Sequence, residues 1–183
     1  MKGKIMSRLS TLGNNATGRS AELFAAIKSK LGKVPNAYDA IGSNSPVALE
    51  ALLNFDARLA DTSLSKQEIE VIKLAVSEVN GCDYCLAAHT LMGKQAGLSP
   101  DAMLAARRGG ASGNERLDAL SGFVRSVVGS TGTVPQAAVD AVKAAGYSDA
   151  QIVDTIFVVS SITFTNLLNR INDTVLDFPK APA

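Results

Sequence analysis

The chain has 183 residues, 46% of them hydrophobic and 19% charged, with a net charge of +1. That length is enough for one domain with a sizeable core and no disulfide staple. The balanced charge and only 5% aromatic residues exclude the basic, aromatic-interleaved footprint of a nucleic-acid binder, and the longest apolar runs, such as Ile156 to Val159, are far short of the roughly 20 residues of a membrane span.

Residues 1–20 carry Lys2, Lys4, Arg8 and Arg19 without an acid, and they lack the apolar core of a secretory signal. They read as a flexible N-terminal arm, with a transit peptide as the weaker alternative. From residue 21 onward, apolar residues recur at spacings of three, four and seven, and nothing alternates long enough to make a strand. The expectation is an all-α fold: a single helical domain over 21–179, followed by a short tail over 180–183.

Ala21 to Leu31 reads as the first helix, ended by Gly32, and Pro35 opens the next segment. Ser45-Pro46 starts a helix to about residue 60. Ser65 and Glu68 form a capping box for a helix from Lys66 to Val79, which Asn80-Gly81 terminates. A further helix spans Asp83 to about Ala96, and Ser99-Pro100 opens a short one to Arg108. After the flexible link "GGASGN", helices are expected over Glu115 to Val128 and Pro135 to Ala145. A second capping box, Ser148 with Gln151, introduces a long last helix to about Arg170. "AGLSPDAM" and "AGYSDAQI" echo one another faintly, as any two helix-turn-helix junctions can.

Both cysteines and the only histidine fall within "GCDYCLAAH", residues 81–89. Cys82 at a helix mouth and Cys85 in its first turn lie near free backbone N–H groups and the positive end of the helix dipole, which favours thiolate over thiol. Cysteines three apart on a helix share a face and can close a disulfide across one turn. His89 lies one turn beyond Cys85 on the same face. If the helices before and after Asn80-Gly81 fold back as an antiparallel hairpin, Glu70 comes level with His89 to Leu91, whereas Glu78 lies beside Asp83. Glu70 to His89 to Cys85 is then a proton relay, with Glu78 as the alternative carboxylate. Two cysteines in a chain without a secretory signal also point to a reducing, cytoplasmic compartment.

Blander roles compete. The cysteines could line the core as small hydrophobes, or join His89 and a glutamate around zinc, although three ligands crowded on two turns make a poor tetrahedral site. Tyr84 reads as packing or a cover over the sulfurs, and Met92 and Met103 as core fillers. Arg107 and Arg108 suit a helix C-terminus. Asn166, Asn169 and Arg170 read equally as site-facing, capping or solvent-facing.

The spacing E-x11-C-x2-C-x3-H, carried by Glu70, Cys82, Cys85 and His89, resembles that of the alkylhydroperoxidase D and carboxymuconolactone decarboxylase superfamily, and "LGKVPNAYDAIGSNSPVALEALL", "AGLS" and "NRINDTVLDFP" are similar to segments of the same family. The resemblance implies an all-α fold that assembles as a homo-oligomer, trimer or hexamer, and a peroxidase active on small hydroperoxides. By the same resemblance Cys85 attacks the hydroperoxide, Cys82 resolves the sulfenic acid as a disulfide, Glu70 and His89 move the proton, and a dithiol or lipoylated protein is the reductant. No cofactor or metal is implied. The alkylhydroperoxidases carry a second histidine just before the attacking cysteine, where this chain has Tyr84. A redox sensor or binding module, and a decarboxylase-like enzyme using His89 and Glu70, are the rival readings.

Overall fold

The computed structural model describes residues 7–183, and among them nine α-helices and two short 3-10 turns account for all the regular structure. The helices are α1 (Gly18–Leu31), α2 (Asn36–Asn44), α3 (Pro46–Arg58), α4 (Lys66–Val79), α5 (Asp83–Gln95), α6 (Pro100–Arg108), α7 (Glu115–Gly129), α8 (Gln136–Ala144) and α9 (Asp149–Asn172). The all-helical expectation holds, and α4 and α6 have the termini their caps announce.

The bundle is organised around α4. Val71, Ile72, Leu74, Ala75 and Val76 are all buried, so α4 turns a broad apolar face to the core and packs against α5, α6, α7 and α9. Its start is fixed by a complete capping box: the Ser65 hydroxyl accepts from the Glu68 N–H while the Glu68 carboxylate accepts from the Ser65 N–H at 2.7 Å. Its end is fixed by Gly81, whose φ of +63° supplies the left-handed turn that folds α5 back against α4. Truncating a fully buried residue such as Ile72 to Ala is worth about 2–5 kcal/mol in this setting. A second, smaller core joins α1, α2 and α3 through Leu23, Phe24, Ile27, Ile41, Leu49 and Leu52.

The described part of the arm and the C-terminal tail are both tied to the bundle. Residues 1–6, the outer part of the expected arm, lie outside the described residues. Within the rest of the arm, the N–H groups of Arg8 and Leu9 donate to the carbonyl and the side chain of Asn172, both at 2.8 Å, and α1 begins at Gly18 rather than Ala21. At the other end, Asn172 closes α9 and Asp173 turns the chain at φ +52°. The tail then runs back across α2 and α5: Asp177 pairs with Lys33 at 2.9 Å, and Arg107 donates to the Pro182 carbonyl.

Helix α9 buries a mixed face, in which Val158 and Ile162 join the core beside polar side chains. Thr155, Ser161, Asn166, Asn169 and Asn172 face inward, while Val153, Ile156, Phe164, Leu167 and Ile171 form an exposed stripe. By length and composition alone α9 would pass as a membrane span. Its buried polar face is instead spent on the bundle: the Asn166 amide donates to the Ser77 hydroxyl on α4, and its carbonyl oxygen accepts from Asn80.

Candidate active site

The α4–α5 hairpin brings together the residues that the motif separates. Cys82 is the N-cap of α5, and its sulfur accepts from the Cys85 N–H at 3.3 Å, where a serine or aspartate oxygen usually sits. Cys82 and Cys85 form a disulfide across this first turn, with Cα atoms 5.4 Å apart, so the structure holds the oxidised form of the pair. Both sulfurs lie where unpaired helix N–H groups and the dipole favour negative charge, the condition for a good thiolate once the bond is reduced.

Glu70 and His89 meet as the hairpin geometry requires, Glu70 Oε2 lying 2.8 Å from His89 Nδ1, both side chains being largely buried. This contact fixes the ring and directs its other nitrogen, Nε2, away from Glu70. Glu78, the alternative carboxylate, is committed elsewhere: it accepts from Arg107 Nε at 2.7 Å, across the α4–α6 contact. Arg107 is itself buried, so it is a core ion-pair partner more than a cation placed against the end of a helix dipole.

Cys85 and His89 line one cavity of about 560 Å³, within the range of small-molecule sites. Its walls are mainly apolar, with Ala88, Leu91, Met92 and Ile162 on the helix faces and Phe178 from the tail. Met92 therefore faces the cavity, whereas Met103 is a core filler as expected.

Two residues have roles that their sequence positions did not settle. Asn169 on α9 is buried, and its amide nitrogen lies 3.4 Å from Cys85 Sγ, a donor aimed at the sulfur while its own carbonyl oxygen has no partner. The signal for it lies in the inward spacing of Asn166, Asn169 and Asn172. Tyr84 is a pin for the tail: its hydroxyl donates to Asp177 at 2.7 Å and accepts from the Ala37 N–H at 3.2 Å, and its ring meets Phe178 edge-on. Burial, with the Asp177 carboxylate beside it, pushes the Tyr84 hydroxyl far above its ordinary value, so it stays protonated. Among the described residues, no three His, Cys, Asp or Glu side chains converge as a metal-ligand set.

Residues 46–120 match the Carboxymuconolactone decarboxylase family. The fold is shared with a peroxidase-related protein from Silicibacter sp. TM1040, at 24% identity and a TM-score of 0.81 over 96% of this chain and 94% of that one. It is shared equally with a peroxidase-related protein from Ralstonia eutropha JMP134 described as an alkylhydroperoxidase AhpD core, at 21% identity and a TM-score of 0.81 over 96% and 94% of the two chains. A debrominase, Bmp8, in complex with 2,3,4-tribromopyrrole aligns at 16% identity and a TM-score of 0.78, over 93% and 91%. No curated protein matches the chain. Family sequence over 46–120 and an AhpD-like helical fold throughout are thus what the chain carries.

Proposed function

We propose that this chain, with its AhpD-like fold, is a thiol-dependent peroxidase that reduces small organic hydroperoxides and is recycled by a dithiol. One observation carries the reading: a disulfide-forming pair at a helix mouth opens, at Cys85, onto an apolar cavity that also receives an imidazole held by a buried carboxylate.

The chemistry follows in three steps. In the reduced protein His89, oriented by Glu70, takes the Cys85 proton directly or through a water molecule, leaving a thiolate that Asn169 and the α5 N-terminus stabilise. The thiolate attacks the terminal oxygen of ROOH; the O–O bond breaks, ROH leaves with the proton returned by His89, and Cys85 becomes a sulfenic acid. Cys82 thiolate then attacks the Cys85 sulfur and displaces hydroxide, which leaves as water after protonation, forming the disulfide seen in the structure. Two electrons from a dithiol, free or on a lipoylated carrier, restore the pair by thiol–disulfide exchange.

The same reading includes a cytoplasmic location and assembly into trimers or hexamers, for which the exposed apolar stripe of α9 offers a surface. A second reading, reductive removal of halogen from a substituted ring, is favoured by the apolar lining of the cavity, and it would need the same thiol pair.

The test is turnover of cumene hydroperoxide with dihydrolipoamide. Consumption that disappears in Cys85→Ser supports the peroxidase. Activity of another kind that survives in a double cysteine-to-serine variant would favour a decarboxylase-like enzyme, and bromide release from a bromopyrrole without peroxide turnover would favour dehalogenation. A change of oligomer size with redox state, and no turnover at all, would leave the sensor.

A further inference from the structure

The active-site cavity also carries a polar group of side chains that the peroxidase chemistry leaves unused. Asp56 on α3, Lys73 on α4, Ser161 on α9 and Tyr38 on α2 all line it. The Ser161 hydroxyl donates to Asp56 Oδ1 at 2.5 Å, and Lys73 Nζ lies 3.7 Å from the same oxygen. That separation is beyond hydrogen-bond reach. Among the described residues the Lys73 ammonium makes no hydrogen bond, although its side chain is only 11% exposed. Its ammonium, paired only at a distance with Asp56, is open to the cavity, so its donors are available to an acceptor held there. Tyr38 lines the same cavity near Asp56 as a second donor: burial, then the charge of Asp56, push its hydroxyl up to about 12, so it keeps its proton.

The position of this group relative to the sulfur follows from α9. Ser161 marks the polar end and Asn169, in contact with Cys85, the reactive end. Eight residues of helix separate them, about 12 Å along the axis. Between the two ends the wall is apolar or nearly so, with Ile162 and Thr165 on α9 and Ala88 on α5. Because Lys73 and Asp56 offset one another, the polar end has no net charge. It suits a neutral acceptor more than a carboxylate, which Asp56 would repel.

We propose that Lys73 and Tyr38 form a head-group site for an elongated, neutral substrate, one that presents a carbonyl oxygen to them while its hydroperoxide reaches Cys85. The assignment deepens the peroxidase reading and rests on it only for which end reacts. The occupant is an ester, ketone or amide joined through an apolar chain to the reacting oxygen, and the site selects against short hydroperoxides and free acids.

The test is calorimetric binding of three product-like alcohols to the reduced protein: the methyl ester of ω-hydroxydecanoic acid, the free acid, and decanol. The ester is expected to bind about tenfold more tightly than decanol, and the acid no better than decanol. Lys73→Met, which keeps the aliphatic stem, should erase the preference; Tyr38→Phe, which removes one oxygen, should reduce it severalfold and serves if the lysine variant does not fold. Equal binding of ester and decanol, a preference that survives both substitutions, or tighter binding of the acid overturns the assignment. Hydroperoxide turnover is measured separately. A protein that prefers the ester yet consumes no hydroperoxide keeps the head-group site and loses the peroxidase.

Discussion

Replacing Asn169 by Leu isolates the contribution of the α9 amide to the reactivity of Cys85. The amide nitrogen is 3.4 Å from the sulfur in a buried setting, so in the reduced protein it donates to a thiolate in preference to a thiol. A hydrogen bond to a charged group is worth about 1.5–3 kcal/mol. Its removal therefore lowers the ionisation constant of the Cys85 thiol by about ten- to a hundredfold, at 1.4 kcal/mol per factor of ten. The same change deletes a buried carbonyl oxygen that has no partner, so leucine should cost little stability. The assay is the rate of Cys85 alkylation by iodoacetamide as a function of pH in a Cys82→Ser background, with thermal unfolding measured alongside. The reaction should be slower at neutral pH and unchanged at high pH, where every thiol is ionised, and the melting temperature should stay within a few degrees of the parent. A variant that alkylates as fast as the parent at pH 7 would refute the claim that Asn169 stabilises the anion.

The remaining predictions separate chemistry from packing. Glu70→Gln keeps a hydrogen bond to His89 but removes the charge that orients the ring; peroxide turnover should fall about a hundredfold in kcat/KM with little change in melting temperature. Glu78→Gln is its opposite, because it strips the buried Arg107 of its carboxylate: about 2 kcal/mol of stability should be lost in urea unfolding, while reduced protein turns over as before. Tyr84→Phe removes the hydroxyl that joins the tail to α2, at a cost of about 1–3 kcal/mol locally, visible as faster hydrogen exchange over residues 174–183. Glu68 supplies a pH test. Desolvation works to raise its pKa, but hydrogen bonds from the Ser65 N–H and the Arg116 guanidinium prevail and hold it below its ordinary 4.5. The stability it contributes is thus present above that ordinary value and lost as pH falls through the lower folded one, and Glu68→Gln should flatten acid unfolding in that window.

Local signals were readable where the chemistry that makes them is local. The capping boxes at Ser65 and Ser148 name the starts of α4 and α9 because both partners lie within four residues. The Glu70–His89 contact was also within reach, since a hairpin around Gly81 has one register and level positions can be counted. The arm was harder. Its partner is Asn172, 163 residues away, and nothing in "SRLSTLGNN" distinguishes a strand of chain held by another helix's terminus from a free one. Tyr84 was ambiguous for a similar reason: its partner Asp177 sits in a tail without periodicity, so only the folded chain shows the two together.

Helix α9 shows why the thiol site was legible in part. Its sequence contains two faces, one with Val153, Ile156, Phe164, Leu167 and Ile171, the other with Thr155, Ser161, Asn166, Asn169 and Asn172, and amphipathicity alone would send the first inward. The structure turns the second face inward together with Val158 and Ile162, and leaves the first outside. The inward polar residues have specific duties that apolar ones cannot perform: Asn166 satisfies Ser77 and Asn80 at the hairpin turn, Asn169 reaches Cys85, Ser161 holds Asp56, and Asn172 anchors the arm. Each buried amide or hydroxyl costs desolvation unless it is bonded, and leaving the apolar stripe in water forgoes roughly 25 cal/mol for every square ångström it could bury. A helix that accepts both losses is organised around the site it lines, and the stripe it leaves outside is where assembly would recover part of that cost. A redesign that turns Val153, Ile156, Leu167 and Ile171 to Gln or Lys should therefore leave the monomer folded and Cys85 reactive while abolishing any homo-oligomer in equilibrium sedimentation. Unfolding of that variant would show instead that the exposed stripe belongs to the core.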